Sequence, residues 1–252
     1  MKKALSKLKA PGRFSRKGEN GRLLVIAGSR QYHGAPAFSI LGARRFCDLT
    51  YFLPGDSSPT VLQSVLPLPE PIIVSEPVDA DCVLYGPGLG KAKFPLSRIR
   101  KFKKKVIDGD GIMKLSRKSD FAGTILTPHE GEFRRLFGVP STPRNVMEFA
   151  AEHSCTILKK GPTDLISDGS RLIKNTKGNP GMTKGGTGDV LAGLTAALFC
   201  NNLPLVAAAS AAYLTGFAGD ILFKKQKYAY CASDLAEALP EAYKKAFPGR
   251  KK

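Results

Sequence analysis

Residues 178–194 read GNPGMTKGGTGDVLAGL. Four glycines fall within the eight residues from Gly181 to Gly188, and a single carboxylate, Asp189, follows them at the start of a run of good helix formers. The first N–H groups of a helix have no partner within it; they point outward with partial positive charge and bind anions. Glycine leaves room for a phosphate and permits unusual backbone angles. The turn 185–188 therefore reads as an anion hole. Asp189 has two readings. As a helix cap it is structural. As a proton acceptor it takes the proton of an attacking hydroxyl while the amides absorb charge on a transferring phosphoryl group. The chemical reading is preferred, because a cap alone does not need the glycines. The pattern G-x-x-x-x-G-K-[ST] is absent from the sequence, so this is not a Walker A loop.

Such a corner needs a scaffold. Short apolar runs rich in β-branched residues occupy 22–28, 80–86, 104–110, 123–128, 155–161, 163–167 and 171–175. Their all-apolar centres predict strands covered on both faces. Helical patterns fill 35–46, 129–137 and 143–153, and the last third reads as three helices over 187–200, 204–224 and 232–246. Alternation of this kind predicts an α/β fold: a parallel sheet with helices on both sides. The Pro- and Ser-rich stretch 53–70 reads as a surface loop with one edge strand. Glycines mark the strand exits IAGS, LYGPGLG and KKG, and in open α/β sheets the ligand lies beyond the carboxyl ends of the strands. With no linker or repeat, one domain is expected.

Bulk composition narrows the partners. The chain has 252 residues, 42% of them apolar, and a net charge of +18. No apolar run of roughly 18 residues is read, and the basic N-terminus lacks the apolar stretch of a signal peptide, so a soluble cytoplasmic protein with no membrane association is expected. Five scattered cysteines without a C-x-x-C pair argue against a zinc site and a secreted disulfide framework. The positive charge gathers in the first 17 residues, in 91–105 and in the tail GRKK. Solvated surface, attraction of anionic substrates and nucleic-acid binding are the three readings. Nucleic acid is the least favoured, since the 91–105 cluster holds two aromatics and matches no known module.

GGTGD followed by a long helix resembles the anion-hole motif of the ribokinase-like superfamily. The longer GNPGM-x-x-GGTGDVLAG resembles the ADP/ATP-dependent NAD(P)H-hydrate dehydratases, the carbohydrate-kinase-like domain of the NAD(P)H-hydrate repair enzymes. KGENGRLLVIAGSRQYHGAPAFS (17–39), YGPGLG (85–90), VIDGDGI (106–112), TPHEGEFRRLFG (127–138) and ILKKGPTDLI (157–166) resemble further segments of that family in order, and the resemblance covers 17–245.

The resemblance implies a ribokinase-like three-layer α/β/α fold with a central, mostly parallel sheet, residues 1–16 forming a basic extension and 17–252 a single catalytic domain. It implies metabolite repair. The ring hydroxyl of hydrated NADH or NADPH is phosphorylated by ADP or ATP with Mg2+, and loss of phosphate restores the double bond. By this resemblance Asp189 is the base, and the amides of Gly186, Thr187 and Gly188 hold the phosphoryl charge. Ala35, Gly88, His129 and Asp189 contact the hydrated dinucleotide. Lys160, Gly161, Pro162, Thr163, Asp164 and Gly188 contact the nucleotide, while Asn179, Glu132 and Asp108 help place phosphate or metal. Plainer readings stay open: His129 as a helix cap, Lys160 as a solvent-facing lysine, Asp108 as a loop organiser, Tyr32 as loop filling. The sequence departs from the family at Lys184, where a small or hydroxyl residue is expected; the cation either clamps a β-phosphate or alters donor preference. It departs again in SILGARRFCDLTYF after Ala35, where the family's small-residue segment is missing. A separate epimerase chain and a tetrameric assembly are also implied. The alternative reading is a small-molecule kinase of the same superfamily, acting on a vitamin-precursor alcohol.

Overall fold

The computed structural model describes residues 1–248, so the tail GRKK lies outside the described residues. In chain order the elements are α1 (Lys2–Leu5), β1 (Arg22–Ala27), α2 (Ala35–Ala43), β2 (Leu49–Pro54), α3 (Pro59–Val65), β3 (Ile72–Ile73), β4 (Cys82–Tyr85) and β5 (Lys105–Ile107). There follow α4 (Asp110–Met113), β6 (Thr124–Leu126), α5 (Glu130–Phe137), α6 (Pro143–Glu152), β7 (Thr156–Lys159), β8 (Asp164–Ser167) and β9 (Leu172–Asn175). Three long helices close the chain: α7 (Thr187–Asn201), α8 (Pro204–Gln226) and α9 (Ala232–Ala246).

The strands form one nine-stranded sheet in the order β3-β2-β1-β4-β5-β6-β7-β8-β9. Every pairing from β3 to β7 is parallel, and β7-β8-β9 are antiparallel. The apolar strand centres serve both faces through the two-residue period of a strand. In β1, Leu23, Val25 and Ala27 join the core under α2, α7, α8 and α9, while Leu24 and Ile26 join a second core with Phe133, Phe137 and Phe149. The result is the three-layer α/β/α arrangement.

Two glycines allow α2 and α7 to touch backbone to backbone. A Cβ on Gly42 would overlap the carbonyl oxygen of Val190, and one on Gly193 would overlap that of Ser39. Within SILGARRFCDLTYF it is thus Gly42 that permits the close approach. This crossing holds the start of α7 beside the exit of β1.

Four expectations need correction. The stretch 53–70 is not a plain loop: it carries the end of β2 and all of α3, and β2 lies inside the sheet between β1 and β3. The first 16 residues are not simply solvated, because Ala4, Leu5 and Leu8 fall on one side of the MKKALSKL segment and are buried, Leu8 to 3% exposure. The Lys9 N–H also donates to Asn202 Oδ1 at 2.8 Å. Helix α8 has the length and mean hydropathy (1.5) of a membrane span, which the sequence reading did not credit; 83% of that window is buried inside the fold, as a core helix requires. Last, the basic cluster is partly internal. Lys104 Nζ donates to Phe199 O at 3.0 Å and to Cys200 O, satisfying carbonyls at the C-terminal end of α7. Lys105 is buried, donates to Phe102 O at 3.1 Å, and has its pKa lowered by that burial.

Candidate functional site

The site lies at the carboxyl edge of the parallel strands, where β1, β4, β5, β6 and β7 end beside the N-terminus of α7. Gly186 caps α7 in the left-handed region (φ 92°), which favours glycine, and a Cβ there would press on the Phe38 ring at 2.6 Å. The Thr187 hydroxyl donates to Met182 O at 2.6 Å and lies 2.8 Å from Lys184 O, so it braces the turn. The Thr187 N–H also turns back to Lys184 O, at 3.3 Å. Among the described residues the N–H groups of Gly186, Gly188 and Asp189 have no acceptor. The amides left without an acceptor are therefore those of Gly186, Gly188 and Asp189, with Thr187 bracing the turn.

The Asp189 carboxyl is half-buried and makes no hydrogen bond to any described residue. Its pKa is pushed up to about 8, first by burial and then by Asp108, Asp110 and Glu132, against the opposing effect of Lys160. A carboxyl tied to a neighbouring loop would instead show donors around it.

Behind Asp189 sits an ionic cluster assembled from three strand exits. Asp108, just past β5, is buried and accepts from Thr127 Oγ1 and Lys160 Nζ, both at 2.6 Å. Lys160 follows β7, and its N–H donates to Pro128 O at 2.8 Å, which ties the β6 and β7 exits together. Burial alone lowers the Lys160 pKa; the charges of Asp108, Glu132 and Asp189 more than offset that and hold it above its ordinary value. Glu132 is buried, with Oε2 4.0 Å from Lys160 Nζ, and burial raises its pKa. Lys160 is therefore not a solvent-facing lysine, and Asp108 is the group that anchors it.

His129 caps α5. Its Nδ1 accepts the Glu132 N–H at 3.2 Å, and Glu132 Oε2 accepts the His129 N–H at 2.8 Å, a reciprocal capping box. The cap leaves the side chain 61% exposed, on the wall of a cleft. That cleft has a volume of about 700 Å³ and is also lined by Lys160, Gly161, Pro162, Asp164, Asn179, Thr187 and Gly188. Asp164 accepts from the Gly161 N–H at 3.1 Å and from Asn175 Nδ2 at 2.9 Å, fixing the 160–164 turn, and burial raises its pKa. Asn179 Oδ1 accepts from the Gly181 N–H at 3.0 Å and the Tyr230 hydroxyl at 2.7 Å. Thr163 belongs to the turn but not to the cleft lining.

Ala35 and Gly88 lie apart from this cleft and next to each other. A Cβ on Gly88, whose φ is +60°, would meet Ala35 Cβ at 2.6 Å and Tyr32 O at 2.8 Å. Loop 86–90 is stitched to the β5 exit by Asp110 Oδ2, which accepts the Gly90 N–H at 2.7 Å. The cleft at Lys160–Asp164 and Gly188 thus borders the α7 corner, while Ala35 and Gly88 pack against each other outside it.

Lys184 also lines this cleft. Its Nζ donates to Tyr228 O at 2.6 Å and to Tyr230 O, so the cation pins the α8–α9 connection. Sequence reasoning left Asp110 and Thr127 unassigned although both lie in quoted motif segments. It also missed Lys177, Met182, Leu191, Ala212 and Thr215, which line the cleft. The last two sit in an alanine-rich helix with nothing to mark them. Among the described residues no three His, Cys, Asp or Glu side chains are placed to hold a metal ion.

The comparisons converge. The NAD(P)H-hydrate dehydratase family model matches residues 23–241. An ADP-dependent (S)-NAD(P)H-hydrate dehydratase of Cenarchaeum symbiosum is 38% identical, over 92% of this chain and 91% of its own. A bifunctional NAD(P)H-hydrate repair enzyme of Archaeoglobus fulgidus is 36% identical over 90% of this chain but only 51% of its own length. Among solved structures, an ADP/ATP-dependent NAD(P)H-hydrate dehydratase from Bacillus subtilis, co-crystallised with ATP/Mg2+, superposes with a TM-score of 0.84 at 26% identity, over 98% of this chain and 97% of that one. The architecture is the ribokinase-like one.

Proposed function

This chain belongs to the NAD(P)H-hydrate dehydratase family, and we propose that it returns hydrated NADH or NADPH to the reduced dinucleotide with ADP or ATP as phosphoryl donor. Asp189 accepts the proton of the ring hydroxyl. The hydroxyl oxygen takes the terminal phosphoryl group of the nucleotide. Phosphate then departs, and loss of the neighbouring ring proton restores the double bond. The N–H groups of Gly186, Gly188 and Asp189 receive the charge on the moving phosphoryl group. Thr187 positions them. The hydrated dinucleotide lies against Ala35, Gly88 and His129, and the nucleotide in the cleft between the Lys160–Asp164 turn and Gly188.

The donor set fits a magnesium ion that arrives with the nucleotide. Asp108 and Glu132 supply two nearby carboxylates, short of an all-protein cage, and Mg2+ characteristically takes one or two carboxylates plus phosphates and water. When bound it would draw charge from the phosphates. Lys160 and Asn179 hold the protein side of that arrangement. A tetrameric state, a cytoplasmic setting and a separate epimerase chain belong to the same proposal; sedimentation of the purified chain tests the first.

One observation carries the reading: a half-buried carboxyl without a partner stands beside three amides without acceptors. The test is incubation with hydrated NADH, ADP or ATP, and magnesium, following NADH absorbance. Recovery of absorbance with stoichiometric phosphate release is expected. A stable phosphorylated alcohol, with no ring restored, would overturn it in favour of a small-molecule kinase.

A further inference from the structure

Lys184 stands in the glycine-rich turn at a position where a small or hydroxyl residue is expected. Its backbone and its side chain serve different neighbours. The Lys184 carbonyl accepts the Thr187 N–H at 3.3 Å and lies 2.8 Å from the Thr187 hydroxyl, which closes the turn around Gly186. The ammonium crosses to the α8–α9 connection. It donates to Tyr228 O at 2.6 Å and to Tyr230 O, and it sits over the Tyr230 ring, 5.4 Å from the ring centre. Neither of those carbonyls accepts a backbone N–H among the described residues. The ammonium therefore supplies the hydrogen bonds that link the turn 183–188 to the segment 227–232.

A chain of bonds returns from that segment to α7. The Tyr230 hydroxyl donates to Asn179 Oδ1 at 2.7 Å, and the same oxygen accepts the Gly181 N–H at 3.0 Å. Met182, next in line, accepts the Thr187 hydroxyl at 2.6 Å. The ring of bonds closes on the residue that braces the mouth of α7. Gly186 is wedged within it: a Cβ there would stand 2.8 Å from Ala232 Cβ, at the first residue of α9.

We propose that Lys184 is a positioning residue, which fixes the amides of Gly186, Gly188 and Asp189 where the transferring phosphoryl group needs them. The inference rests on the proposed function and deepens it by assigning what holds the turn in place. Two of the three ammonium donors are spent on carbonyls, so the cation acts through the backbone and not as a phosphate ligand. Preorganised amides matter most where charge develops. Loosening them lowers turnover more than it lowers nucleotide binding, which also draws on the Lys160–Asp164 turn.

The test compares wild type with Lys184→Met and Lys184→Arg. Methionine keeps an unbranched side chain and removes the charge and the donors; arginine keeps both. In Lys184→Met, kcat with hydrated NADH should fall roughly tenfold while KM for ADP stays within about twofold of wild type. Lys184→Arg should recover most of the lost turnover. A second measurement needs no turnover. Amide hydrogen exchange at Thr187 in the ligand-free protein should quicken roughly tenfold in Lys184→Met, with exchange at Ile125 in the sheet unchanged. A raised KM for ADP at wild-type kcat overturns the inference and makes the ammonium a direct ligand of the nucleotide. Unaltered exchange at Thr187 overturns it whatever the turnover. Equal acceleration at Thr187 and Ile125 also overturns it, as a general loss of stability. A wild-type chain that restores no NADH refutes the proposed function alone, and exchange quickened at Thr187 but not at Ile125 then still supports Lys184 as the group that holds the turn.

Discussion

Helix α7 carries glycine for two opposite reasons. In its middle, Gly193 is demanded by packing, since a methyl there would overlap the backbone of α2 at Ser39. At its mouth, packing demands nothing of Gly188. A Cβ on Gly188 would find only the end of Lys160 at 3.7 Å, and one on Gly185, just before the helix, would find no atom within 4 Å. Neither Gly185 nor Gly188 lies in the left-handed region. Gly186 between them is the one whose backbone angle favours glycine. A glycine that neither sterics nor backbone geometry requires leaves open space, and here it does so in a turn whose amides at Gly186, Gly188 and Asp189 have no acceptor among the described residues. The middle of α7 is built for the protein itself, and the mouth is built for something that arrives.

The contrast predicts that changes at the mouth cost activity and changes in the middle cost stability. The largest effect should come from Asp189→Asn. Loss of a general base lowers turnover by about 10²–10⁴-fold. Stability should move the other way. The folded-state pKa of about 8 lies above the unfolded carboxylate value, so Asp189 favours folding at low pH, and that contribution fades as pH rises and is gone above about 8. The variant should therefore melt higher than wild type at pH 8.5 and lose that advantage near pH 4. Equal melting at both pH values, or retained turnover, breaks the assignment of Asp189.

Gly193→Ala is the opposite case. The α2–α7 crossing must open to admit a methyl, and overpacking of this kind typically costs about 1–3 kcal/mol or more. Chemical denaturation should show a lower midpoint, while the nucleotide Kd of the folded fraction stays at the wild-type value. Next in size is the pH profile. The base form of Asp189 is the active one, so kcat/KM for the hydrated dinucleotide should rise about tenfold per pH unit up to a limb near 8 and level off above it. A limb near 4 instead would mean that burial and the neighbouring carboxylates do not hold the Asp189 pKa up in the free enzyme.

These two regions were not equally legible in the sequence. The mouth was, because GGTGD couples residue types that have little common purpose except phosphate chemistry. The strand centres around Leu24, Val83 and Ile125 were also legible, since burial on both faces leaves an all-apolar run. The α2–α7 crossing was not: Gly42 and Gly193 acquire their meaning only when two distant segments meet. Strand β2 was missed because LTYFLP follows a polar, arginine-bearing turn and ends in proline, although its partners β1 and β3 place it inside the sheet. The direction of Lys184 depended on carbonyls at Tyr228 and Tyr230, more than forty residues away.

Gly188→Ala gives the smallest expected effects and the sharpest form of the contrast. Alanine is the better helix former, by up to about 1 kcal/mol in a helix interior and less at the first turn. The added methyl meets only the mobile end of Lys160, so the folded state has no clash to relieve. Melting temperature should stay level or rise slightly, where the same substitution at Gly193 lowers it. The methyl nevertheless enters the open space between Gly188 and the end of Lys160, both of which line the cleft proposed for the nucleotide. ADP affinity should fall roughly tenfold, equivalent to about 1.4 kcal/mol. A stable Gly188→Ala protein with unaltered nucleotide affinity would show that the open glycine serves no arriving ligand. The phosphate would then have to be sought elsewhere along the strand exits, with Lys160 and its partner Asp108 as the remaining ionic pair at that edge.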